Sequence, residues 1–468
     1  MPQMADLFMK TRRKTSLALA AAFCALWRTA AAEPKKWMIP ELPGGRPAFS
    51  AAGPELIAKP AAAQNDLKPD VRVAKEPPTV DFLFLPGQDY EGNPWSNWGD
   101  GCAAGDKYYT AIGDHQSPRG NAFVYEYDSS KKTVRILASL REFLDKHGGL
   151  AANETYRPGK IHSRLCLGAD GWLYYTTHRG SGRDTTDKFG FKGDWLLRTL
   201  PDPDPAKVKT EIVAAYPVPK HCLPAGMLDA ERMIWYGGSA AGADAALKGI
   251  VFLAYDAANR KTLLCAENRG FDRCAILVRS TGCVYWNPAA GGKDGDGQAE
   301  KGGGLKYDPR SNEIVPSPNV PHVRSATTET AEGMVYGTSH WNCDIWAFNT
   351  RTEQCSVLGD GAVGKATYTT SMEVDPSGRY LYYVPGAHGG AWADGSPVVQ
   401  YDVMTRTRKV IAFMNALEPM IGARFEGTFS TALSPGGDTL YVTWNMGRPR
   451  WDCCAITAIR IPESERKP

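Results

Sequence analysis

The sequence predicts an all-β chain of seven similar sheets, and three observations carry that expectation. A pattern of strand, tight turn and strand recurs along it. The clearest copy runs Ile161-His162-Ser163-Arg164, then Ala169-Asp170-Gly171, then Leu173-Tyr174-Tyr175-Thr176-Thr177-His178. Related copies end at Tyr108-Tyr109-Thr110, Ile234-Trp235-Tyr236, Cys283-Val284-Tyr285, Val335-Tyr336-Gly337-Thr338-Ser339-His340, Leu381-Tyr382-Tyr383 and Leu440-Tyr441-Val442. Outer strands repeat a second phrase, an aromatic followed by Asp or Asn, as in Tyr127-Asp128, Tyr255-Asp256, Tyr307-Asp308, Phe348-Asn349 and Tyr401-Asp402. Successive copies lie roughly 50 to 60 residues apart, near the upper end for propeller repeats. Together these features predict a seven-bladed β-propeller, which brings equivalent positions of every blade to one axis.

The elements follow in order. Lys10, Arg12, Arg13 and Lys14 precede an apolar run from Leu17 to Trp27, and Thr29, Ala30, Ala31 and Ala32 come next. That order of charge, apolar core and small residues predicts a secretory signal over residues 1–32. Residues 33–78 are rich in Pro and Ala and read as an arm or linker. Thr79 to Leu85 is a β-rich run and the first strand of the propeller, which spans 79–463 before a short tail at 464–468. The seven inner hairpins are expected at Cys102–Ile112, His162–His178, Cys222–Gly238, Arg273–Trp286, Arg324–His340, Tyr368–His388 and Thr428–Asn445. The last blade lacks a fourth strand. The Thr79–Leu85 strand can supply it and so close the ring between the two termini. Two inserts interrupt the repeat, at Gly180–Asp194 and at Gly291–Gly304. The second carries Asp294-Gly295-Asp296 without a full set of calcium-ligand spacings and reads as a solvated loop.

Composition bounds the function. The 468 residues are 43% hydrophobic and 22% charged, with a net charge of +3. No basic run follows the N-terminal segment, so nothing argues for nucleic-acid binding. The N-terminal apolar run is too short for a comfortable membrane span, and no other segment qualifies. An exported location, periplasmic or extracellular, is therefore expected. Of eleven cysteines, ten follow the signal, and an even number in an exported chain favours some disulfides. Cys265 with Cys274 and Cys343 with Cys355 are candidate local pairs, whereas the adjacent Cys453 and Cys454 are expected to stay apart. No Gly-x-Ser-x-Gly elbow, phosphate loop or Cys-x-x-Cys-His haem motif is present.

Antiparallel pairing puts the start of each innermost strand and the end of the second strand on the same face. His162, Arg273, Arg324 and Tyr368 stand at first-strand starts. His178, His340, His388 and Asn445 stand at second-strand ends, with His115 beside them. Arg164 lies two residues beyond His162. Cations and imidazoles round a concave opening suit an anionic polysaccharide or small ligand, and imidazole suits proton transfer near neutral pH. The same imidazoles, His162, His178, His340 and His388, could hold a divalent metal; zinc, manganese and calcium are the candidates. Trp95, Trp98, Trp286, Trp341, Trp392 and Trp444 could stack on sugars, though packing between blades is the commoner use.

Two histidines from one blade with Arg and Tyr from its neighbours resemble the propeller-type polysaccharide lyases, in particular the ulvan lyases. In that family a His pair, a Tyr and an Arg serve β-elimination at a uronate. The resemblance implies that Arg273, Arg324 or Arg164 neutralises the substrate carboxylate, that His178 or Tyr368 is the base, and that His162 or His340 is the acid. Two alternatives stay open. One is a non-catalytic ligand-binding or scaffold propeller. The other is a metal-dependent lactonase or lyase that would use Asp272, Glu329, Glu373 or Glu426 near the axis.

Overall fold

The computed structural model describes residues 42–88, 95–115, 120–288, 303–339, 342–447 and 451–467. They build seven small, mostly antiparallel sheets. Each is a blade. Blade 1 runs through Lys107–Asp114, Ala122–Asp128 and Thr133–Ser139, with a broken inner edge at Trp95–Ser96 and Cys102–Ala104. Blade 2 contains Pro158–Ile161 and Cys166–Leu167, then Leu173–Arg179, Trp195–Leu200 and Lys209–Ala215. Blade 3 begins at His221–Asp229, blade 4 at Ile276–Leu277, blade 5 at Ser325–Ala326, blade 6 at Met372–Val374 and blade 7 at Arg424–Leu433. The seven hairpins expected from the sequence are these inner pairs.

The ring closes as the sequence predicts. Thr79–Phe84 pairs antiparallel with Trp451–Arg460, from Thr79 opposite Arg460 to Phe84 opposite Ala455. Phe49–Ala51 then adds outside that strand, and Arg72–Val73 adds in parallel to the outer strand Thr407–Phe413 of blade 6. The Pro- and Ala-rich segment thus contributes two edge strands that cover otherwise open backbone.

At the seam, Asp81 is wholly enclosed. Its carboxylate meets Lys132 Nζ at 2.8 Å, Arg460 Nη1 at 2.7 Å and Ser50 Oγ at 2.5 Å. Burial alone would raise its pKa, but these three partners outweigh burial and hold it below the usual carboxylate range.

The core lies between blades. Phe252 of blade 3 stacks on Trp286 of blade 4 with ring centroids 4.5 Å apart. Trp95 stacks on Phe123 and Trp444 packs edge-on to Phe425, so Trp95, Trp286 and Trp444 are packing residues. Trp392 lies under the guanidinium of Arg424 at 4.5 Å. None of the ten described cysteines forms a disulfide. The expected pairs Cys265–Cys274 and Cys343–Cys355 do not form. Cys265 is on the exposed outer strand of blade 3 while Cys274 faces the axis, and Cys343 is buried against Thr369 while Cys355 sits on an outer strand. Among the described residues no helix is long and apolar enough to cross a membrane. The proposed signal, the Asp294 loop, His340 and Trp341 lie outside the described residues.

Candidate functional site at one end of the axis

Two close backbone approaches aim the aromatic floor of the site. A Cβ on Gly99 would stand 2.2 Å from the Ser163 carbonyl, so only glycine lets the segment carrying Trp98 lie against blade 2. Gly427, at φ +149°, passes within contact of the Ala387 backbone and brings Phe429 to the axis. Trp98 and Phe429 then meet with centroids 4.8 Å apart. Around Trp98 stand His115 at 4.3 Å, His162 at 5.8 Å and His388 at 6.0 Å.

His162 is held at both nitrogens. Its Nδ1 is 2.9 Å from the Pro224 carbonyl and its Nε2 is 2.9 Å from Arg273 Nη1. A carbonyl only accepts and a guanidinium only donates. Nδ1 therefore carries the proton, and Nε2 accepts from Arg273. Burial, reinforced by Arg273 and Lys160, pushes the pKa of this imidazole well below its ordinary value. The same sense of shift applies to His178, through burial and then Arg179 and Lys160, and to His115, which burial lowers to about 3.

Arg324 donates from Nε to the Tyr368 phenol oxygen at 2.7 Å, and its plane lies over the rings of Tyr368 and Phe429. Tyr368 stacks on the exposed His388 at 4.8 Å. Lys160 completes the ring. It is only 5% exposed, it lies over the Trp98 face at 4.9 Å, and among the described residues no carboxylate pairs with it. Burial first, and then Arg179 and Arg273, depress its pKa well below the lysine range.

The structure thus gathers His162, His178, Arg273, Arg324, Tyr368 and His388 of the sequence-predicted set. Arg164 lies further along the axis. It shares a small pocket with Trp98, His162, Arg273 and Arg324, but its guanidinium is bound to Asp100 at 3.0 Å, and it also lines a cavity of about 650 Å³. Asn445 is wholly enclosed, with its amide accepting from Asn97 N at 2.7 Å and donating to Asn97 O at 3.2 Å. It ties blade 7 to blade 1.

Lys160 and Phe429 were missed by sequence reasoning, whereas Trp98 was named among the residues that could stack on sugars. The only signal for these two was position, two residues before His162 and on the innermost strand of blade 7. Of the carboxylates considered, Glu426 pairs with Arg424 at 2.6 Å and Glu329 accepts from Ser280 and Thr350. Glu373 lines the 650 Å³ cavity, where burial raises it to about 8. Neither these acids nor His162 and His388 enter a ligand cluster among the described residues, and His340 lies outside them. One trio of donors forms such a cluster, His178, Asp194 and Cys222.

No family model matches the chain, and no curated protein matches it. Solved structures do. "Oligogalacturonate lyase in complex with manganese" is similar at 11% identity and a TM-score of 0.48, over 86% of this chain and 98% of that one. "Structure of U3-55K" is similar at 9% identity and a TM-score of 0.46, over 81% and 98%. A chain of "Crystal Structure of Mitotic Checkpoint Complex" is similar at 14% identity and a TM-score of 0.44, over 85% and 95%. Likeness at this level does not choose an activity, which has to be argued from the site.

Proposed function

We propose that this protein is an exported enzyme that cleaves a uronate-containing polysaccharide by β-elimination at the Trp98 end of the axis, with residues 1–32 as its export signal. One observation carries the reading. An aromatic floor is flanked by buried cations, and two of them, Lys160 and Arg324, face no carboxylate among the described residues. A buried cation costs free energy until an anion meets it, so the ring is complementary to an anionic ligand. A ring-shaped ligand with a carboxylate satisfies both the floor and the charges.

The chemistry then assigns roles. Arg273 and Lys160 neutralise the carboxylate, which makes the neighbouring C5 proton removable. Tyr368 takes that proton. The C5 electrons form the C4–C5 double bond, the C4–O4 bond breaks, and His388, open to solvent and stacked on Tyr368, gives the departing oxygen a proton. His162 orients Arg273 in this scheme, because its Nε2 lone pair is occupied and its Nδ1 proton is bound to Pro224.

The test is a screen of the purified protein against ulvan, pectate, alginate and glycosaminoglycans, following the ultraviolet absorbance of an unsaturated uronate with and without chelator. A rise on one polysaccharide that falls by about 10²–10⁴ in Tyr368→Phe supports the reading. Silence across the panel from folded protein overturns it in favour of a binding propeller.

A further inference from the structure

We propose that His178, Asp194 and Cys222 form a zinc site that ties blade 2 to blade 3. The site is independent of the lyase reading. His178 ends the second strand of blade 2, Asp194 immediately precedes its third strand, and Cys222 lies on the innermost strand of blade 3. One ligand atom from each lies within 4.8 Å of the others, and all three residues are buried.

On two of the three donor side chains one polar atom lacks a hydrogen bond. Asp194 is fully enclosed and its carboxylate faces the Cys222 thiol and the Leu223 N–H, yet its Oδ2 makes no well-aligned hydrogen bond, and the enclosed Nδ1 of His178 makes none. Buried polar atoms are otherwise paired in folded proteins, so unbonded polar atoms on two of three clustered donors call for an occupant.

The surroundings fit a metal better than a water. Asp194 Oδ1 accepts from Tyr156 Oη and from Thr177 Oγ1, each at 2.8 Å. These bonds fix the carboxylate and leave its second oxygen for a ligand, which is how outer partners orient metal-binding acids. Thr177 also receives the backbone N–H of Trp195 at 3.1 Å, which locks the strand turn that carries Asp194.

The donor set selects the ion. A thiolate sulfur, an imidazole nitrogen and one carboxylate oxygen suit zinc, whereas calcium and magnesium require oxygen donors. Zinc donors in a tetrahedron stand about 3.3–3.8 Å apart, given bonds of about 2.0–2.3 Å, so small side-chain rotations suffice. Binding releases the Cys222 thiol proton to solvent, and the thiolate and carboxylate charges then balance the dication. The fourth position is left for water or for a further side chain. Because the His178 ring meets His162 edge-on at 5.4 Å, the ion also fixes the wall of the axial ring.

The experiment uses the full chain, reduced, freed of metal by chelator and dialysed. Cobalt(II) is added first, and its thiolate charge-transfer band is recorded. Zinc is then titrated in to displace it, and bound metal is counted by elemental analysis. The expected result is a cobalt–thiolate band in the wild type that zinc abolishes at one equivalent. Cys222→Ser loses the band, and Tyr156→Phe, which keeps all three donors, binds zinc about 10- to 100-fold more weakly. Absence of the band in folded wild type overturns the proposal, as does an undiminished band in Cys222→Ser. If Cys222→Ser does not fold, the wild-type spectrum and the Tyr156→Phe affinity decide, and unchanged affinity in Tyr156→Phe counts against the site.

Discussion

The closure seam and the axial ring both bury charge, and they treat it in opposite ways. At the seam one carboxylate, Asp81, is enclosed and met by two cations and a hydroxyl. At the ring one ammonium, Lys160, is nearly as enclosed and lies over the face of Trp98, with guanidinium groups for neighbours and no carboxylate partner among the described residues. Paired buried charge holds the ring of blades shut. Unpaired buried charge spends stability and gains a place for an anion, the usual sign of a working site.

The sharpest way to break this contrast is Lys160→Met. Turnover or ligand affinity should fall by about 10²–10³. Stability should stay the same or rise by about 1–2 kcal/mol, because an uncompensated charge has gone. Loss of both stability and activity would make Lys160 a structural residue like Asp81. The converse variant, Asp81→Asn, should lower stability by about 1–3 kcal/mol in chemical denaturation, while activity per folded molecule stays unchanged.

The pH dependence separates the two regions further. Asp81 has a folded pKa below its unfolded value. Its contribution is therefore complete above the unfolded carboxylate value of about 4 and is lost as pH falls through the lower folded value. The stability difference between wild type and Asp81→Asn should be flat at neutral pH and shrink only in acid. Lys160 has a folded pKa below the unfolded lysine value, so the unfolded chain holds the extra proton between the two. Its penalty is greatest at low pH and is relieved as pH rises towards about 10. The advantage of Lys160→Met over wild type should shrink in that direction, and a constant difference would refute the assignment. The smallest effect concerns the thiols. Since none of the described cysteines forms a disulfide, a reductant should leave Tm unchanged, and a clear drop would reveal disulfides.

Much of the fold was legible because each hairpin writes the same alternation into the chain. The closing strand could be read from the missing fourth strand of the last blade. Several innermost strands are only two residues long, Ile276–Leu277 and Ser325–Ala326 among them, and their polar starts carry the side chains that reach the axis. Those starts were visible as His, Arg and Tyr. Whether each was free or already engaged was not visible. Arg164 is bound to Asp100 and Asn445 to the Asn97 backbone, and both partners come from distant sequence. Lys160 and Asp194 went unnoticed for the complementary reason. A lysine in a strand and an aspartate at a strand start read as surface residues until packing from neighbouring blades encloses them. The disulfide expectation rested on counting cysteines, and the blade geometry separates them.

The central claim is that Lys160 and Arg324, beside Trp98, await a carboxylate. Calorimetric titration with a short oligouronate and with its uncharged methyl ester, against wild type and Lys160→Met, tests it most directly. The account predicts that wild type binds the acid form and not the ester, and that Lys160→Met loses the preference. Equal binding of acid and ester, or full retention of the preference in Lys160→Met, would contradict it.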